Sequence, residues 1–160
     1  MTDTADYLLH SEASNTPPKF RESRPADESA IRKILAEAKL SFQSGPGSKT
    51  ADPAAFRTHV CELRGEVISV LQWRLIEPEA EILDIAVAAA QRRQGIASFV
   101  LTEFSRLARA AGVREILLEV RESNSAAIAL YTKFGFTPAG RRNNYYRDPN
   151  EAALLLRRSA

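Results

Sequence analysis

At 160 residues, with 44% hydrophobic and 26% charged side chains, the chain has the size and balance of one globular domain and is too mixed for a disordered polymer. One cysteine, Cys61, leaves no partner for an internal disulfide, and the two histidines, His10 and His59, have no metal-ligand spacing. The net charge of +2 hides an asymmetry: residues 1–90 carry 10 Lys/Arg against 14 Asp/Glu and residues 91–160 carry 12 against 6, so the second half favours an anionic partner.

The opening "MTDTADYLLHSEASNTPPK" has acids where a secretory signal would be basic, and it has no sustained apolar stretch. Residues 1–18 read as a flexible leader and 19–160 as a single domain. No run is long and apolar enough to cross a bilayer, so a cytoplasmic protein is expected. Lys19–Arg24 reads as a short extended segment. Asp27 is placed to cap the helix "ESAIRKILAEAKL", which gathers Ile31, Ile34, Leu35 and Ala38 on one face. "SFQSGPGSKTADP" is a Gly/Pro/Ser loop. His59–Leu63 and Val67–Ile76 form a predicted hairpin around Arg64-Gly65-Glu66, with Cys61 as a buried thiol, and Ala80–Val87 is a third strand.

After Gly95 the period changes. Val100, Leu101, Phe104, Leu107, Ala108 and Ala111 recur at helical spacing, and Gly112 stands where a helix ends. Glu115–Val120 is then a strand, Ser125–Lys133 a helix closed by Gly135, and Phe136–Arg142 and Ala152–Arg157 are strands. Tyr145 and Tyr146 fall in a loop with Arg141, Arg142 and Asn143. The order predicts an α/β (α+β) fold with a mixed central sheet of six to seven strands flanked by helices.

The stretch "LDIAVAAAQRRQGIASFVL" breaks an apolar strand at Gln91 and resumes as a helix after Gly95. A helix N-terminus presents unpaired amides and partial positive charge, and glycine lets an anion approach the backbone. A plain surface loop with solvated arginines would look the same. The segment lacks both the P-loop and the dinucleotide glycine patterns. It does carry Arg92-x-x-Gly95-x-Ala97, which resembles the acetyl-CoA pyrophosphate loop of the GNAT N-acetyltransferase superfamily. "EILDIAV" before it, "LLEVRESNSAAIALYTKFGF" after it and "GRRNNYYRDPNEAALLL" near the end resemble the bacterial ribosomal-protein alanine N-acetyltransferase branch. The likeness covers residues 19–158 in element order and is specific over 80–157. At residues 41–53 the chain departs from that branch, with Phe42 the only aromatic where a Pro-Trp-like segment is usual.

The resemblance implies the GNAT fold and acetyl-CoA as co-substrate without a metal. The implied cofactor contacts are Ile85, Ala86, Val87, Arg92, Arg93, Gln94, Gly95, Ile96, Ala97, Ser98, Asn124, Ala127 and Tyr131. The substrate contacts are Phe42, Asp84, Tyr145 and Tyr146. Acetyl transfer to an amine needs a base for the amine, a donor for the oxyanion and an acid for the leaving thiolate. Glu119 is the candidate base. Strand alternation separates Glu115, Leu117 and Glu119 from Ile116, Leu118 and Val120, and a carboxylate at the carboxyl end of such a strand sits where open α/β sheets bind ligands. An ion pair with Arg121 would explain it equally, and Asp84 is a rival base.

Tyr131 is the candidate acid, since a phenol of pKa about 10 is suited to a thiolate; core packing is its other reading. Asn124 either caps the short helix or also touches the cofactor. The oxyanion donor is expected as a backbone N–H near Val87. The expected acceptor is a protein or peptide N-terminus, with a ribosomal protein as the one the resemblance implies, and the expected state is monomer or weak dimer. A small-molecule amine, a lysine, or a catalytically silent CoA-binding module are the alternatives. No nucleic-acid-binding signature is present.

Overall fold

The computed structural model describes residues 16–40 and 56–160. The leader up to residue 15 and the whole of the 41–53 loop, Phe42 included, lie outside the described residues. The elements are β1 (Lys19–Glu22), α1 (Glu28–Glu37), β2 (Phe56–Leu63), β3 (Glu66–Ile76), β4 (Glu79–Val87), α2 (Ile96–Ala110), β5 (Glu115–Arg121), α3 (Ser125–Lys133), β6 (Thr137–Arg147) and β7 (Asn150–Ser159). The seven strands form one sheet in the order β1-β2-β3-β4-β5-β7-β6. β1 pairs with β2, β5 with β7 and β6 with β7, all antiparallel, while β4 pairs with β5 in parallel. A parallel neighbour needs a crossover, and α2 supplies it.

Two compact units divide the chain, with β3, β4 and α2 contributing to both. In the first, Ile31, Ile34 and Leu35 of α1 pack with Val60, Val70 and Ala86. These are the apolar positions the helical spacing selects, and each aliphatic side chain so buried contributes about 1.5–3 kcal/mol. His59, Trp73 and Phe104 form a second group. The Trp73 indole donates to His59 Nδ1 at 3.1 Å and meets Phe104 edge-on with centroids 5.2 Å apart. Cys61 is fully buried, and burial pushes its thiol up to about 12. In the second unit, Ile116, Leu118 and Val120 are buried on one face of β5, as the alternation predicts. Tyr131 meets Phe136 edge-on with centroids 5.6 Å apart.

Three local expectations are corrected. Asp27 makes no side-chain cap to α1. Its carboxylate turns back to accept from both Arg21 Nη atoms and from the Arg24 amide instead, and these charge-assisted bonds occupy both its oxygens away from α1. α1 also stops at Glu37 rather than Leu40: Lys39 turns to φ +57° and the Leu40 amide reaches back to the Leu35 carbonyl at 2.9 Å, a Schellman closure without glycine. Finally, Tyr145 and Tyr146 belong to β6, which runs on to Arg147 after a register shift between Arg142 and Tyr146. The β2–β3 turn is as expected, with Arg64 and Gly65 both at positive φ as a tight hairpin requires.

Candidate active site

In the first unit the chain leaves β4 through Val87 and makes a 3-10 turn at Ala89–Gln91 before entering α2. Contacts within that unit hold the loop. The Ala88 amide donates to the Ile68 carbonyl at 2.9 Å, and the Ala89 amide donates to Glu37 Oε2 at 3.0 Å. Arg92 Nε donates to the Val87 carbonyl at 3.0 Å, so Arg92 folds back to brace its own loop. Gln94 likewise donates to the Ala90 carbonyl at 3.1 Å. Arg93 has φ +64° and Gly95 φ +79°. A Cβ at Gly95 would meet no atom within 4 Å, so its α-carbon faces open space at the mouth of α2.

The first backbone bond of α2 runs from the Phe99 amide to the Gly95 carbonyl at 3.0 Å. The amides of Ile96, Ala97 and Ser98 therefore precede the intrahelical ladder, and they are the ones a phosphate would take. This segment fits a pyrophosphate in three respects: backbone donors, a glycine without a side chain in the way, and two exposed arginines, Arg92 and Arg93, just ahead of that glycine. Ile96 is buried and anchors the first turn. Asp84, also in this unit, lies on β4 three residues before Val87. Burial raises its carboxyl to about 6.

In the second unit the parallel register of β4 and β5 ends at Ile82↔Leu118, so Glu119 is the first β5 residue beyond it. On its other edge β5 stays paired with β7 through Glu119↔Leu155 to Arg121↔Ala153. Glu119 has 17% of its side chain exposed, and Arg142 Nε lies 3.2 Å from its Oε1. The Tyr145 hydroxyl donates to the same carboxylate. That hydrogen bond, followed by burial, pushes the phenol up to about 12. Arg121, the ion-pair partner in the other reading of Glu119, pairs instead with Glu151 at 3.2 Å, and its guanidinium carbon lies 4.0 Å from the centre of the Tyr146 ring. The structure thus joins Glu119 and Tyr145, which the sequence reading gave separate roles, and adds Arg142 to them. Tyr131 is on α3, and Asn124 immediately precedes that helix. Asn124 is its N-cap, accepting from the Ala127 amide at 3.2 Å, and Tyr131 is buried. Among the described residues no three His, Cys, Asp or Glu side chains gather as metal ligands, and no helix is long and apolar enough to cross a membrane.

Comparison with known proteins gives one consistent result. The model of the acetyltransferase (GNAT) family matches residues 16–136. The chain is similar to the ribosomal protein bS18-alanine N-acetyltransferase of Escherichia coli (strain K12), 36% identical over 94 residues, which is 58% of this chain and 64% of that protein. The chain spans 54% and 64% of the length of the Bacillus subtilis and Escherichia coli relatives it matches. Its fold is that of the crystal structure of the ribosomal-protein-alanine N-acetyltransferase from Escherichia coli, with TM-score 0.74 and 24% identity, covering 89% of this chain and 94% of that one. A GNAT family acetyltransferase from Elizabethkingia anophelis with acetyl-CoA bound has TM-score 0.73 at 17% identity, covering 89% and 98% of the two chains.

Proposed function

The chain belongs to the acetyltransferase (GNAT) family, and from that premise we propose that it transfers the acetyl group of acetyl-CoA directly to the α-amine at a protein's N-terminus. The observation that carries the reading is the Gly95 loop: a glycine at φ +79°, open above its α-carbon, immediately ahead of the first amides of α2. Those amides, with the loop residues Arg92, Arg93 and Gln94 around them, would hold the pyrophosphate. Acetyl-CoA supplies an activated thioester; the protein supplies position and two proton transfers.

The amine, neutral after losing its first proton to solvent, forms the C–N bond to the thioester carbon. Glu119 takes the second proton from that nitrogen as the C–S bond breaks, and Tyr131 gives its proton to the leaving sulfur. Transfer of the Glu119 proton through solvent to the Tyr131 phenolate resets both groups. A backbone N–H near Val87 would stabilise charge on the reacting carbonyl oxygen. An α-amine titrates near about 8 and a lysine near about 10.4, so more of an N-terminus has already lost that first proton at neutral pH. The names of the relatives support an N-terminal acceptor, and a cytoplasmic location goes with it.

The test is mass spectrometry after incubation with acetyl-CoA and two peptides, one beginning Ala-Arg and its N-blocked twin with an internal lysine. Acetylation of the free N-terminus alone is expected. Label on the lysine, or turnover only with small amines, would overturn the acceptor but keep the enzyme. Binding of acetyl-CoA without any acetylation would support a silent CoA-binding module. Glu119→Gln and Tyr131→Phe should each lower kcat about 100-fold; activity within a few-fold of wild type would overturn that residue's role.

A further inference from the structure

The carboxylate of Glu119 is fixed from another strand. Arg142 and Tyr145, both on β6, reach it across the intervening β7, where Arg142 stands opposite Ala153 and Glu119 opposite Leu155. The Arg142 guanidinium carbon also lies 5.6 Å from the centre of the Tyr145 ring. Tyr145 in turn meets Tyr146 at 90° with centroids 5.1 Å apart. Each partner of Glu119 is therefore held by something else.

We propose that Arg142 and Tyr145 are positioning residues for Glu119, fixing the direction of its carboxylate before an amine arrives. The inference rests on the reading of Glu119 as the base. A glutamate has three rotatable side-chain bonds, and two anchors on one carboxylate remove most of that freedom. The carboxylate retains lone pairs for a further donor, because it offers about four acceptor directions. Orientation set in advance need not be found during turnover. Tyr145, at 46% exposure, has a rival role as part of a wall against the substrate peptide. The two roles differ in what they do to Glu119.

A double-mutant cycle separates them. Tyr145→Phe keeps the ring and removes only the hydroxyl. The expected result is a fall in kcat of about tenfold, with KM for peptide and for acetyl-CoA within about twofold of wild type. In a Glu119→Gln background the same substitution should change nothing further. Arg142→Gln should behave like Tyr145→Phe, and Arg142→Lys should recover part of the loss. A rise in peptide KM that is equal with and without Glu119 would mean a wall, and the proposal would fall.

Unaltered kcat in Glu119→Gln alone would remove the base assignment itself, a separate result that takes this proposal with it. One readout needs no turnover: the carbon-13 signal of the Tyr145 ring followed through its ionisation. Glu119, Arg142 and Tyr146 are the groups that bear on that phenol. Its midpoint, raised in the wild type, should drop by about a unit or more in Glu119→Gln. An unchanged midpoint would overturn the contact.

Discussion

Arg21 and Asp27 face each other through two hydrogen bonds, Nη1 to Oδ2 at 2.7 Å and Nη2 to Oδ1 at 3.0 Å, and Arg21 Nη2 also reaches Glu62 at 2.6 Å. The guanidinium beside Asp27 holds its carboxyl down at about 2. A depressed acid contributes stability that is complete above its unfolded value and lost as pH falls toward its folded one. Asp27→Asn should cost about 2 kcal/mol at pH 7 and much less near pH 2. Chemical denaturation at several pH values checks this; equal cost at both ends would remove the ion pair as the cause.

At Gly95 one substitution should have two effects. Gly95→Ala places a side chain at φ +79°, costing about 1–2 kcal/mol, and it intrudes on the open face of the loop. Gly112→Ala, at φ +77° beyond the end of α2, should cost the same stability. Calorimetry should show acetyl-CoA binding about tenfold weaker in the first variant only. Equal affinity in both would end the cradle reading.

Asp84 should be a liability to the fold at neutral pH. Burial raises its carboxyl to about 6, and a raised acid contributes stability below its unfolded value that is lost as pH rises through the folded one. Asp84→Asn should therefore gain about 2 kcal/mol at pH 8 and nothing at pH 4. A lower Tm at pH 8 would contradict the buried charge. A gain accompanied by lost acetylation would mark Asp84 as kept for its work rather than for stability.

His59 is buried, accepts from Trp73 and stacks on Phe20 with centroids 5.0 Å apart. Burial lowers its pKa, with Arg57 adding to the effect and Glu22 opposing it. The unfolded chain then binds the proton more readily, so this contribution is complete above the unfolded value of about 6.5 and is lost as pH falls below it. Between pH 8 and pH 5 the stability difference between wild type and His59→Gln should shrink, with a slope of at most about 1.4 kcal/mol per pH unit. A flat difference would show a histidine that binds its proton equally well folded and unfolded, and would overturn the lowered value.

Much of this was legible because one-sided burial writes a period into the chain. α1, α2, β5 and the β2–β3 hairpin stand close to where their apolar spacing puts them. β6 was read too short for the opposite reason: from Thr137 to Tyr145 every residue is exposed, so "RRNNYY" carries no alternation to read. The partners of Asp27 and Glu119 were missed because each is chosen in space. Arg121 is two positions from Glu119 in sequence, yet Arg142, 23 positions away, takes the carboxylate through the order β5-β7-β6. Lys39 was missed because nothing local marks a lysine for the left-handed conformation.

Among the described residues β6 is the last strand of the sheet on its side, and it ends the array with Pro138, Arg141, Arg142 and Arg147. An open strand edge invites another chain to continue the ladder, and charge and proline along it discourage that. The arginines of β6 thus act as a guard against fibrous stacking in a crowded solution. Neutralising them to study catalysis would weaken that guard, and samples of such variants would be expected to cloud at concentrations where the parent stays clear.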